Sequence, residues 1–165
     1  MFVLEGVRLV ADALDSGATL TLAIYVPEQL ERSSAGAELL ARLRQLPASY
    51  PATPQALAAA ADTVNPQGVV ALAAWPQTPP GKLGLALVVD AVQDPGNLGT
   101  LLRSAEAVGV AHVLCTSGTV DVFAPKVVRG AMGAHFRLAM EQDLSWEAVG
   151  EFLTMVDHVY AADAS

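Results

Sequence analysis

The side chains of this chain best suited to chemistry are an amide and a guanidinium, Asn97 and Arg103, which stand six positions apart. They follow an apolar stretch, 85–89, and a short loop, 93–97. Asn97 stands where a helix should begin, so it can cap free backbone N–H groups, which form a modest anion site. Arg103 stays charged and can stabilise a developing negative charge or orient a phosphate. The alternative is a well-capped surface helix whose arginine is only solvated.

A strand, a loop, a helix and a second strand must position these two side chains. The apolar run 85–89 predicts the first strand, and apolar residues recur at helical spacing from Leu98 to Val108. Gly109 ends that helix, and a second strand begins at His112. Such βαβ units place ligands at the carboxyl ends of their strands. Gly99 permits a close approach that a Cβ would block, but no phosphate-loop fingerprint is present.

A second group of charged candidates follows this unit. Lys126 and Arg129 are about one turn apart in a short helix predicted at 125–132, so they share a face that suits phosphate oxygens. A solvated helix face is the alternative interpretation. Arg137 falls in a short strand predicted at 136–140, with its side chain facing away from the core.

Three other conspicuous residues are predicted to be structural. His135 has the ordinary pKa of a general base, but a hydrogen-bonded structural histidine is the preferred interpretation. Cys115 lies in an apolar strand and is expected to be a buried, small hydrophobic side chain. Trp146 belongs to an amphipathic helix predicted at 145–156 and is expected to face the core.

Two segments of the second half resemble the signature of a known family. DPGNLGTLLRSAEAVGV and, further on, APKVVRGAMGAHFRL closely resemble the SpoU-type RNA ribose 2′-O-methyltransferases of the SPOUT superfamily. The resemblance implies methyl transfer from S-adenosylmethionine to a ribose 2′-hydroxyl in rRNA or tRNA. It implies Asn97 and Arg103 as catalytic residues and favours Lys126, Arg129 and Arg137 as RNA contacts. It calls for no metal ion, and no metal-ligand cluster is visible in the sequence.

The first half predicts a separate small unit. Residues 2–17 predict a helix, and strands and helices then alternate up to a buried strand at 68–75, which is typical of a three-layer α/β/α unit. EGVRLVADAL and NPQGVVAL resemble the substrate-binding domain that many SpoU-type members carry. By this resemblance Arg8 is a candidate RNA contact that Glu5 would orient. The alternative interpretation is that Glu5 and Arg8 form an ordinary ion pair on the surface. Gln67 is interpreted as part of a turn into the strand.

Proline and glycine divide the chain. Three prolines and a glycine between Pro76 and Gly81 can continue neither a helix nor a strand, so they predict an extended, stiff linker. We therefore expect an α/β protein with an RNA substrate-binding domain at 1–76 and a linker at 77–83. A partial SPOUT methyltransferase domain with a truncated parallel sheet is expected at 84–165.

The resemblance also bears on the cofactor. In the family, the pocket is built largely by a later, knotted segment with a G-x-E-x-x-G type loop and an N-V-S type motif, and neither occurs here. We expect the N-terminal portion of a longer methyltransferase, with Ala162 at one edge of an incomplete S-adenosylmethionine site. The parent is expected to be a homodimer. The chain alone is expected to be inactive, and an RNA-binding module is the alternative function.

Composition sets the remaining bounds. The chain has 165 residues, 53% of them hydrophobic, and one cysteine, which excludes an internal disulfide framework. No signal peptide or membrane-spanning run is recognisable, so we expect a cytoplasmic protein without membrane contact. The net charge of −8 argues mildly against nucleic acid. However, all four bases of residues 84–165 fall between Arg103 and Arg137, so a local basic patch is expected.

Overall fold

A computed structural model describes residues 1–76 and 84–162 of the chain, so the predicted linker at 77–83 lies outside the described residues. The first unit contains a four-stranded mixed sheet. Its strand order is β1-β4-β2-β3, with β2 and β3 parallel and the other neighbours antiparallel. The strands are β1 (Phe2–Glu5), β2 (Leu20–Tyr25), β3 (Ser49–Pro51) and β4 (Val69–Ala73).

Helices cover both faces of this sheet. Its four helices are α1 (Val7–Asp15), α2 (Pro27–Leu30), α3 (Ser34–Leu43) and α4 (Pro54–Ala60). Leu4 and Val10 belong to the core that α1 and α3 form on one face, whereas Leu57 of α4 packs with Val70 and Val3 on the other. Successive side chains of a strand point to opposite faces of the sheet. Neighbours such as Val69 and Val70 therefore belong to different cores. The predicted α/β/α layering is confirmed.

The prediction of one helix over residues 2–17 is wrong at its start. Residues 2–5 form strand β1, and the helix begins only at Val7. Phe2 and Leu4 are fully buried on one face while Val3 and Glu5 lie on the other, which is the two-residue period of a strand. Gly6 then takes a φ of 98°, which separates the strand from the helix.

The second unit is built on a parallel sheet of order β5-β6-β7, confirming the predicted α/β class. Its elements are β5 (Ala86–Val89), α5 (Pro95–Ala107), β6 (His112–Thr116), α6 (Pro125–Ala131), a 3₁₀ turn (Ala134–Phe136), β7 (Ala139–Leu144) and α7 (Trp146–Leu153). The predicted strand at 136–140 is therefore wrong in its first residues, because the 3₁₀ turn places Arg137 ahead of β7. Residues 158–162, the last that the structure describes, form no strand.

Two burial predictions have opposite outcomes. Cys115 is buried as predicted, and burial raises the pKa of its thiol to about 11, so it remains protonated. Trp146 is 56% exposed, so its predicted core position is wrong. It is the first residue of α7, while Val149, almost one turn later, is the buried one. No helix in the described part of the chain is long and apolar enough to cross a membrane.

Helix α6 joins the two units. Val127 and Ala131 belong to the core of the parallel sheet, while Val128 belongs to the core of the first unit. Aromatic rings extend this contact: the centroid of Phe2 in β1 lies 5.0 Å from that of Phe123, and Trp75 stacks on Phe123 at 5.8 Å. The short helix thus fixes the position of the first sheet relative to the second.

The crossing of α5 and α6 depends on two glycines. A Cβ on Gly99 would lie only 2.9 Å from both Gly130 Cα and the Val127 carbonyl oxygen. Both of those atoms are backbone, so relief would require the helices to separate. The close approach expected for Gly99 is therefore confirmed, and its partner is α6.

We predict that Gly99→Ala destabilises the chain by about 1–3 kcal/mol, because the added methyl overpacks the helix crossing. The free energy of unfolding in urea measures the effect. Gly150→Ala is the matched control, since a Cβ there meets no atom within 4 Å and alanine favours a helix by up to about 1 kcal/mol. Equal stability of the two variants would show that the helices are not in close contact at Gly99.

Candidate active site and adjoining groove

The helix that carries the two catalytic candidates is capped by Asp94. Its Oδ1 accepts a hydrogen bond of 2.7 Å from the backbone N–H of Asn97, and Pro95 occupies the first helical turn. The prediction that Asn97 caps the helix is therefore wrong. Because Asp94 satisfies that backbone group, the exposed Asn97 amide is not needed as a cap.

Arg103 lies on the exposed surface of α5, six residues further on. Its Nη1 donates to the Met132 sulfur at 3.2 Å. Met132 follows α6 in a left-handed conformation with φ 49°, which turns the chain away from the helix axis. Glu106, about one turn further along α5, pairs with Arg137 and not with Arg103.

Asn97 and Arg103 share one helix but not one face of it. Six residues correspond to an axial separation of about 9 Å and a rotation of about 120° between the two side chains. Both side chains are exposed, so each is available to a ligand. A substrate that meets both must span this part of the helix.

A groove of about 1120 Å³ lies where the two units meet. Its walls come from α1 and the start of α3, from the loop at 65–67, and from the end of α6. Met132 lines the groove as well, which puts the sulfur that Arg103 contacts on its wall. Three of the four predicted RNA-contacting side chains line it, namely Arg8, Arg129 and Arg137, together with Arg32, which the sequence did not single out. Lys126 is exposed on α6 but is not among the lining residues.

Arg129 is held against acidic groups of the first unit. Its Nη1 lies 2.8 Å from Asp62 Oδ2 and 4.0 Å from Glu5 Oε2, although the geometry at Nη1 does not make a hydrogen bond. The Glu5 side chain is only 5% exposed, and it accepts hydrogen bonds from the backbone of Asp62 and from Thr63. The expected pairing of Glu5 with Arg8 is therefore wrong. Arg8 is exposed and makes no ion pair within residues 1–76 and 84–162.

Arg137 ties α1 of the first unit to α5 of the second. Its guanidinium donates to Asp12 at 3.0 Å and to Glu106 at 3.0 Å. Gly133, with φ 89°, packs so closely on this pair that a Cβ would collide with the Asp12 carboxylate. Since Asp12 and Arg137 are 125 residues apart, no local pattern could have revealed the contact.

His135 has the structural role expected of it. It is completely buried beside Phe2 and Phe123, and its Nε2 lies 2.6 Å from the Val122 carbonyl oxygen. Burial lowers the pKa of the imidazole, although the hydrogen bond with Val122 and the charge of Asp121 oppose that shift. A buried, neutral imidazole engaged with the backbone is not placed to act on a ligand in the groove.

The described residues do not by themselves fit an S-adenosylmethionine site. Ala162, the predicted edge of such a site, is exposed and lies outside any strand. At the carboxyl ends of β5 and β6, the Thr116 hydroxyl donates to Asp90 at 2.7 Å and accepts from the Ala91 N–H. These polar groups already satisfy one another. No group of three or more His, Cys, Asp or Glu side chains suited to a metal ion occurs in the described ranges.

Comparison with known proteins gives matches for both halves. Residues 84–164 match the SpoU rRNA Methylase family, and residues 1–71 match the MRM3-like substrate binding domain. Human mitochondrial rRNA methyltransferase 3 is 38% identical over 98% of this chain and 39% of its own length. The 23S rRNA (guanosine(2553)-2′-O)-methyltransferase RlmP of Bacillus subtilis is 34% identical over 83% of this chain and 52% of its own.

A solved structure extends the likeness. The SpoU methyltransferase AviRb from Streptomyces viridochromogenes, in complex with AdoMet, aligns with a TM-score of 0.74 and 27% identity over 93% of this chain and 58% of that one. The chain spans about 39% of the length of the human relative and of its Xenopus laevis counterpart. Both are named mitochondrial, which contradicts the expected cytoplasmic location.

We predict that Asp94→Ala costs about 1 kcal/mol of stability, because the Asn97 N–H loses its acceptor at the helix start. Thermal unfolding measures the loss. Asp94→Ser is the matched control, since a serine hydroxyl caps a helix nearly as well. If Asp94→Ala and Asp94→Ser were equally stable, the assignment of the cap to this side chain would be wrong.

Acid should destabilise the protein through His135. Since the pKa of the buried imidazole is lowered, the unfolded chain binds a proton at this residue at a higher pH than the folded chain. The free energy of unfolding should therefore fall as pH drops through the ordinary histidine pKa of about 6.5. His135→Gln keeps a donor for Val122 but does not titrate, so its stability should fall less steeply. Parallel slopes in urea titrations across this range would refute the prediction.

Proposed function

The chain belongs to the SpoU rRNA methylase family through residues 84–164, and we propose that the whole protein transfers a methyl group from S-adenosylmethionine to a ribose 2′-hydroxyl of ribosomal RNA. The resemblance of the two sequence segments to this family is thereby confirmed. The names of the rRNA methyltransferase relatives and of RlmP support the reaction. The AdoMet complex of AviRb supports the cofactor.

The observation that carries the proposal is the contact between Arg103 and Met132. Met132 lines the groove between the units, and its sulfur lies 3.2 Å from the Arg103 guanidinium. The catalytic candidate therefore adjoins the groove that collects the arginines of both units. A strand of RNA lying in the groove would pass within reach of the exposed face of α5.

The chemistry assigns different tasks to Asn97 and Arg103. Bound S-adenosylmethionine would supply an electrophilic methyl group with its sulfonium sulfur as the leaving group, and the proton of the 2′-hydroxyl would pass to water. A neutral 2′-hydroxyl is a poor nucleophile, so the site must stabilise the developing alkoxide and hold it in line. We assign the stabilising charge to Arg103, and orientation of the ribose or its phosphate to the Asn97 amide.

RNA contacts are proposed at four cations. Arg8 is exposed and unpaired within the described ranges, so it is free to meet a phosphate, as is Lys126 on the outside of α6. Arg129 and Arg137 are already paired with Asp62 and Asp12, so a phosphate must compete with these carboxylates. Few net phosphate contacts result, which predicts a shallow dependence of binding on salt.

The organisation of the whole protein follows the same proposal. Residues 1–76 would bind the RNA substrate, 77–83 would connect the units, and 84–165 would contribute the catalytic part. The match of residues 1–71 to a substrate binding domain supports the first assignment. The family resemblance supports pairing of two copies, and the names of the relatives support a mitochondrial location.

A second candidate function is RNA binding without catalysis by these 165 residues. It is favoured by Ala162, whose exposed position gives the cofactor no enclosed site in the described residues. Calorimetry separates the two candidates. Tight binding of S-adenosylmethionine to the 165-residue chain would exclude the binding-only function.

Arg103→Ala should lower methyl transfer by about 100-fold or more, the usual loss when a group that stabilises transition-state charge is removed. Transfer of tritium from labelled S-adenosylmethionine to rRNA measures the activity in the full-length protein. Arg103→Lys should not restore it, because lysine lacks the planar fork of donors.

The matched control for this experiment is Arg44→Ala. Arg44 is also an exposed arginine, pairs loosely with Glu31 at 3.9 Å, and is not among the residues that line the groove. Its variant should keep full activity. If Arg103→Ala also keeps full activity while both variants are folded, the catalytic role of Arg103 is refuted.

A further inference from the structure

We infer that the groove contains a subsite for one unpaired RNA base that carries an exocyclic amino group beside a bare ring nitrogen, the pattern of adenine and cytosine. The subsite is formed by the amides of Gln29, Asn65 and Gln67. The inference rests on the proposed function, because it takes RNA as the ligand. The subsite would make binding depend on the RNA sequence, which neither the family nor the phosphate contacts explain.

The three amides line the groove, and two of them also line a recess that adjoins it. Asn65 and Gln67 line both the groove and an adjoining recess of about 390 Å³. Ligand pockets for small organic groups begin at about 300 Å³, so the recess can admit a single base. Gly6 forms part of its wall, and a Cβ there would lie 3.2 Å from the Gln67 Oε1. The missing side chain leaves the exposed Gln67 amide room to turn toward a ligand.

Gln29 supplies an acceptor that lacks a donor. It lines the groove, and its Oε1 is buried without a hydrogen-bond partner among the described residues. A Cβ on Gly68, which has φ 80°, would lie 3.1 Å from the Gln29 Cβ, so Gln29 and the 65–67 loop are neighbours. A buried acceptor without a donor is costly, and an entering amino group would remove that cost.

The charges of the recess favour a base over a phosphate. Glu5, a nearly buried carboxylate, lines the recess, and the one lining cation, Arg129, is already paired with Asp62. A phosphate would enter against a net negative charge, because Glu5 and Asp62 share the single cation of Arg129. The neutral amides present an acceptor and donors side by side, which match an amino group next to a ring nitrogen. Uracil presents a carbonyl oxygen in place of that amino group.

The backbone of the same RNA has its own contacts outside the recess. Arg8 and Arg32 are exposed and line the main groove, where they can meet phosphates on either side of the inserted base. Insertion of an unstacked base between such contacts is the usual way in which proteins read single-stranded RNA. The arginines would supply affinity and the amides selectivity.

Fluorescence anisotropy of the chain with labelled oligoadenosine, oligocytidine and oligouridine of equal length tests the inference. Wild-type protein should bind the first two about tenfold more tightly than oligouridine, the discrimination expected of a well-placed amide pair. Gln67→Ala should abolish that preference with little change for oligouridine. Replacing each adenine by purine, which lacks the amino group, should weaken binding of the wild-type protein to the same level.

Three further variants make the outcomes distinguishable. Arg8→Ala should weaken binding of all three RNAs equally and flatten the salt dependence, because it removes a phosphate contact. Gln29→Leu should act like Gln67→Ala. Gln45→Ala, an exposed amide that does not line the groove, should change nothing.

The subsite is overturned if wild-type protein binds the three RNAs equally, or if the preference survives in both Gln67→Ala and Gln29→Leu. Either result leaves the proposed RNA partner intact. Failure to bind any RNA would overturn the proposed function itself, and the subsite with it.

Discussion

The packing of one short helix against two cores is the constraint on which the rest of the structure depends. Val127 and Ala131 of α6 are buried with the parallel sheet, and Val128, the residue between them, is buried with the first unit. The helix can pack into both cores only because Gly99 and Gly130 let α5 approach it closely. This arrangement sets the two sheets at a fixed distance and creates the groove between them. It also brings the end of α6, with Met132, to the guanidinium of Arg103.

The same interface explains how an acidic chain can present arginines to the RNA that we propose as its partner. The net charge is −8, yet the acids nearest the groove are engaged with the protein itself. Glu5 accepts hydrogen bonds from Asp62 and Thr63, and Asp12 receives two hydrogen bonds from Arg137. The Arg137–Asp12 pair holds the units together, and all of these contacts offset part of the negative charge of the groove. The proposed RNA contacts therefore rely on a few placed side chains rather than on a large basic field.

The sequence predicted the elements with local signals and missed the contacts that depend on distant residues. The βαβ unit of α5 carries helical periodicity and a clear end at Gly109, so it was predictable. Asp94 could have been identified as the cap, because a proline follows it at the first helical position. Strand β1 was missed because four residues show too little periodicity, and its buried partner β4 begins more than sixty residues later. The pairing of Arg137 with Asp12 leaves no local pattern at all.

The central claim is that one RNA contacts both units across the groove. Photo-cross-linking tests it directly: an RNA with a single photoreactive nucleotide is irradiated on the protein, and the attached peptides are identified by mass spectrometry. A set of RNAs with the reactive position moved along the chain should attach both to the segment around Gln67 and to the segment around Met132, at neighbouring nucleotides. Attachment confined to one unit, whichever position is reactive, would contradict the account.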